Sequence, residues 1–116
     1  MRVGEVFKKF PELLGRKLDS SHYYLDNDGT VTRLGLIRID GGGSADHVAR
    51  KCREDIDSRR TLPAFSRLIE EGRFLIAVAT FTDEKVAEIR SQVERLKTPV
   101  RFRLEVIPEL VNLLPR

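Results

Sequence analysis

Phe74-Leu75-Ile76-Ala77-Val78-Ala79-Thr80-Phe81 is the most apolar run of the chain, with neither charge nor alternation. A strand with water on one face alternates with period two. A uniformly apolar run of this length reads as a strand covered on both faces, most often in a parallel sheet. Parallel neighbours need crossover connections, and the flanking sequence supplies one on each side. Downstream, Thr82 or Asp83 caps a helix with Val86, Ile89, Val93 and Leu96 on one stripe, and Lys97-Thr98-Pro99 closes it. Val100 to Pro108 then alternates, with Val100, Phe102, Leu104 and Val106 to one side and Arg101, Arg103 and Glu105 to the other. Such a strand is half-exposed and near a sheet edge, where a partner or a second copy of the chain can pair with it.

Upstream, Pro63 to Glu71 fits a short helix with Pro in its first turn, Phe65, Leu68 and Ile69 facing inward, and Gly72 as a stop. Ser44 caps a longer helix whose buried stripe is Val48, Cys52 and Ile56, which makes Cys52 an inert core residue. Before it, Val31 to Asp40 holds Leu34-Gly35-Leu36-Ile37, apolar on both faces, as expected of a central strand. Gly35 marks a close approach by another element. His22 to Asp26 is rich in strand formers, and Asn27-Asp28-Gly29 supplies turn chemistry for an antiparallel hairpin. Val3, Val6, Phe7, Phe10, Leu13 and Leu14 recur at helical spacing, with Pro11 bending the helix or restarting it. Pro108-Glu109-Leu110 opens a last short helix. The expected fold is a three-layer α/β domain over residues 1–116, a mixed sheet of about four strands with flanking helices, one hairpin and two right-handed crossovers.

A chain of 116 residues has material for one core, and 41% apolar with 34% charged residues excludes a disordered chain. The net charge of +3 permits a polyanionic partner without demanding one; residues 1–58 are balanced, so the excess sits in residues 59–116. One cysteine cannot form an internal disulfide, and two histidines with one cysteine, widely separated, do not make a structural zinc site. The opening MRVGEVFKKFPELLG lacks the apolar run of a signal peptide or a membrane span, so a cytoplasmic, non-membrane protein is expected.

Three constellations bear on chemistry. Gly41-Gly42-Gly43-Ser44 joins a strand to a helix, where backbone N–H groups can hold a phosphate, although neither a dinucleotide nor a phosphate-loop fingerprint is present and a tight turn reads equally from triple glycine. Asp40 ends a central strand, the place where α/β proteins put ligand groups, while Asp26 and Asp28 read as turn residues. Arg50, Lys51 and Arg53, with Arg59 and Arg60 at the end of the helix and His47 near its start, form the densest basic segment, either for nucleic acid or as a solvated face with Glu54, Asp55 and Asp57 interleaved. No Gly-x-Ser-x-Gly elbow supports a covalent hydrolase mechanism.

At Leu18-Asp19-Ser20, Leu36-Ile37-Arg38-Ile39-Asp40, Lys51 and the strand Phe74 to Thr80, the chain resembles the carboxyl-terminal part of plasmid replication-relaxation proteins. That family is similar in turn to the restriction-endonuclease-like PD-(D/E)xK nucleases. The resemblance spans about residues 18–108. It implies an αβββαβ-like fold and a site in which Asp19 and Asp40 hold Mg²⁺ and Lys51 steadies the attacking hydroxide or the phosphate. Arg38 departs from the pattern, because it stands where those nucleases carry a carboxylate, and a cation there repels a divalent metal. The resemblance therefore implies a DNA-binding, catalytically degenerate nuclease-fold domain in plasmid or mobile-element processing, with Arg38, His47, Arg50 and Arg53 toward DNA. The alternatives are an active Mg²⁺-dependent endonuclease using Asp19, Asp40 and Lys51, and a small interaction or homodimerisation module without nucleic acid.

Overall fold

A computed structural model of the chain describes residues 3–16, 18 and 23–108. Phe74 to Thr80 forms the strand the apolar run predicts, here β3, with Phe74, Ile76 and Val78 sealed on one side. The other elements are α1 (Val3–Lys9), a 3₁₀ turn (Pro11–Leu13), β1 (Tyr23–Asp28), β2 (Val31–Ile39), α2 (Ala45–Arg60), α3 (Pro63–Glu70), α4 (Asp83–Glu94) and β4 (Arg101–Val106). Pro11 resolves the opening segment in favour of a restart. Phe10, forced out of the helical region by the proline that follows, ends α1 and leads into the turn. The last helix expected, from Pro108 onward, lies outside the described residues.

The sheet order is β1-β2-β3-β4, with β1 antiparallel to β2 and the other pairs parallel. The hairpin loop is Gly29-Thr30, one step later than its sequence suggests, since Asn27 and Asp28 still pair with Thr32 and Val31. Gly29 takes φ +62°, which a two-residue loop needs at its first position and glycine adopts without strain.

One hydrophobic cluster joins α1, the 3₁₀ turn and α2 to α4 to a single face of the sheet. Leu34, Leu36, Phe74, Ile76 and Val78 belong to it, and Leu75 and Ala79, though buried, do not. Among the described residues the helices thus lie against one face of the sheet, while the last helix of the three-layer expectation falls outside them. The other face is shaped at Gly35. A Cβ there would stand 2.1 Å from Cε1 of Tyr24, so the tyrosine ring lies directly over the glycine. Gly35 is also the register partner of Leu75. The ring takes, on β2, the space that a side chain at position 35 would fill. No helix among the described residues is long and apolar enough to cross a membrane.

Candidate nucleic-acid interface

Asp40 follows the last residue of β2 and is held at that end of the sheet by its own N–H, which donates to the Ala79 carbonyl at 2.8 Å. Its carboxylate is almost wholly buried, with 1% of the residue exposed. Oδ2 accepts the Thr80 hydroxyl at 2.8 Å and Oδ1 accepts the Gly42 N–H at 2.9 Å. Gly42 turns the chain back toward Asp40 through φ +94°, a conformation side-chain-bearing residues rarely adopt. Two other groups of the loop have partners of their own. Lys85 donates to the Gly43 carbonyl, and Ser44 caps α2 by accepting the His47 N–H at 3.1 Å. Of the loop expected to hold a phosphate, the Gly42 N–H is thus given to a carboxylate of the protein itself.

The remaining expected site residues are engaged separately. Arg38 points into the helix-covered side and clamps Asp55 of α2 with Nε at 3.0 Å and Nη2 at 2.7 Å, a two-pronged pair with Asp55 mostly buried. Arg59 adds a hydrogen bond to the Asp55 carbonyl and covers Tyr23 and Phe65. Lys51 pairs with Glu54 at 3.3 Å, Arg50 with Asp46 at 3.3 Å and Arg53 with Asp57 at 3.8 Å. His47 packs its ring against Gly43, whose Cβ would meet it at 3.0 Å. Asp40 and Lys51 share no hydrogen bond or ion pair, and Asp19 lies outside the described residues. Among the described residues no group of three His, Cys, Asp or Glu is placed to hold a metal ion. Asp40 alone, sealed and doubly hydrogen-bonded, does not form the carboxylate set that Mg²⁺ takes.

Free cationic charge gathers elsewhere. Where α2 and α4 end side by side, Arg53, Arg60, Arg95, Lys97 and Thr98 line a concavity of about 310 Å³ whose floor is Ile56 and Leu96. Arg60, Arg95 and Lys97 are exposed and have no ion-pair partner among the described residues; Asp57 is the one acid on the rim. Lys97 closes α4 in the left-handed region at φ +48°, an unusual choice for lysine. Of the four residues expected to face nucleic acid, only Arg53 belongs to this surface. Arg60 belongs with Arg59 to the basic segment that ends α2, while Arg95 and Lys97 follow α4, where no run of basic residues announces them.

The uncovered sheet face carries a second concavity, about 270 Å³, lined by Tyr24, Ile37, Ala77, Ala79, Arg103 and Ile107. Arg103 of β4 bridges this face to Asp26 of β1 at 2.8 Å and also holds Glu105 at 2.7 Å. Burial, and after it the Asp26 charge, push the Tyr24 hydroxyl above its ordinary pKa, while Arg103 pulls it down. No family model matches this chain, and neither a curated protein nor a solved structure does.

Proposed function

We propose that this chain is a DNA-binding module on a nuclease-like sheet, without cleavage chemistry, serving plasmid or mobile-element DNA processing. The observation that carries the binding is the concavity with three unpaired cations, Arg60, Arg95 and Lys97, beside Arg53. Exposed, unpaired guanidinium and ammonium groups on a concave surface suit phosphate oxygens, and such contacts position a duplex without reading its sequence. The absence of cutting is supported by the Arg38–Asp55 clamp and by the sealing of Asp40, which leave two of the expected site positions occupied with structural contacts.

Fluorescence anisotropy with a short duplex tests the reading. Three to four phosphate contacts give a salt slope of about −3 in log K against log salt. The combined variant Arg60→Ala, Arg95→Ala, Lys97→Asn is expected to abolish most of that slope, with asparagine chosen to keep the left-handed backbone. Absence of binding by the wild type at low salt, or an unchanged slope in the folded variant, overturns the proposal. Plasmid nicking with Mg²⁺ or Mn²⁺ that disappears in Asp40→Ala overturns its non-cleaving part.

A further inference from the structure

Strand β4 closes the sheet order at one end, and among the described residues no strand pairs with its outer side. The backbone direction of that edge is fixed by one bond. The Ile107 N–H donates to the Thr80 carbonyl at 2.6 Å, while Thr80 is the register partner of Val106. Backbone groups alternate sides along a strand, so the odd residues of β4 face β3, and Phe102, Leu104 and Val106 turn their N–H and C=O groups outward. Unsatisfied edges of this kind are templates for another strand.

The side chains say which strand fits. A two-fold pairing of β4 with itself must oppose outward residues to outward residues, and the centre decides the rest. Centred on Arg103, the pairing sets two Arg103 side chains against each other. Centred on Leu104, it sets Arg103 against Glu105 of the second copy twice, Phe102 against Val106 twice, and Leu104 against Leu104. The charges lie on the uncovered sheet face and the apolar pairs lie on the helix side. On that helix side, a concavity of about 270 Å³ runs along the same edge, and Val93, Val100, Phe102 and Leu104 form its apolar wall. In this register the directly opposed charges are of opposite sign, and the half-buried apolar residues meet their like.

We infer that β4 pairs antiparallel with β4 of a second copy in the register centred on Leu104, forming a two-fold dimer with one continuous sheet. Each of the three outward pairs then exchanges two backbone hydrogen bonds. The groove along this edge adjoins the basic concavity, sharing Lys97 and Thr98 with it, but the strand pairing itself uses backbone and side chains of β4 and does not rest on DNA binding.

Sedimentation velocity from about 1 to about 200 µM is expected to show a monomer giving way to a dimer. Leu104→Pro removes an outward N–H that has no partner within one copy, so it should leave a folded monomer at every concentration. Glu105→Arg opposes arginine to Arg103 across the seam and should weaken the dimer at least about tenfold, which tests the register even where Leu104→Pro fails to fold. A wild type that stays monomeric throughout overturns the inference. So does a folded Glu105→Arg, or a folded Leu104→Pro, that dimerises like the wild type.

Discussion

Thr80 donates its hydroxyl to Asp40 across 2.8 Å, tying the ends of two neighbouring strands through side chains 40 residues apart, of which only 1% is exposed. Removing the hydroxyl while keeping the shape leaves one carboxylate oxygen buried without a donor. Thr80→Val is therefore expected to cost about 1–3 kcal/mol in urea denaturation. Asp40→Asn should cost less, since its amide oxygen still accepts from Gly42 and its NH₂ can donate to Thr80. A metal ligand would not tolerate that exchange, and neither substitution should change DNA affinity.

Arg38 and Asp55 form the second structural tie, from the central sheet to α2. Arg38 is about one-third exposed and Asp55 less, which places the pair between surface and buried behaviour. Arg38→Ala is expected to lose about 1–3 kcal/mol, and much less when Asp55 is already alanine. A double-mutant cycle by chemical denaturation measures the difference. Arg38→Glu, which restores the carboxylate of the nuclease pattern, should be less stable still and should not cut DNA, because it faces Asp55.

Gly35→Ala tests the packing of the uncovered face. The added Cβ would collide with the Tyr24 ring at 2.1 Å, so the single change should destabilise by about 1–3 kcal/mol. In a Tyr24→Ala background the same change should be nearly neutral or favourable, because alanine costs the unfolded chain less entropy than glycine. Thermal melts of the four proteins show whether the two residues are coupled in this way.

Cys52 sits in the core stripe of α2, and burial first, then the Asp55 charge, push its thiol up to about 12 from an ordinary value of 9.0. A raised folded pKa means that the unfolded chain loses its proton first as pH climbs. Stability from this group is therefore complete below about 9 and falls through the window from about 9 to about 12. Comparing melting temperatures of wild type and Cys52→Ala should show the alanine protein less stable at neutral pH by a cavity effect, with the gap closing as pH rises through that window.

Much of this architecture is written in local sequence. The uncharged run at Phe74 to Thr80, the stripe Val48, Cys52 and Ile56, and the alternation of Arg101 to Val106 each report an element's own environment. Parallel pairing follows because the crossovers have helical length. What the chain does not announce locally are pairings between distant segments. Nothing near Arg38 points to Asp55 on another element, and nothing near Asp40 points to Thr80. The layer count is likewise not local: the uniform apolarity of β3 reports that strand's own surroundings and does not say on which face the helices gather. The cations at the ends of α2 and α4 meet only in space.

The bridge from Arg103 to Asp26 joins the last strand to the first across 77 residues. Closing a loop of that length costs about 4 kcal/mol of chain entropy, well beyond what a solvent-screened ion pair of an exposed arginine returns. The bridge therefore cannot start the fold; it forms after the inner strands have already brought its ends together. Its weight falls on the time the finished sheet lasts, since a contact absent from the folding transition state slows unfolding and leaves the folding rate alone. In this protein the first and last strands are fastened to each other late, and their fastening acts as a small brake on unfolding.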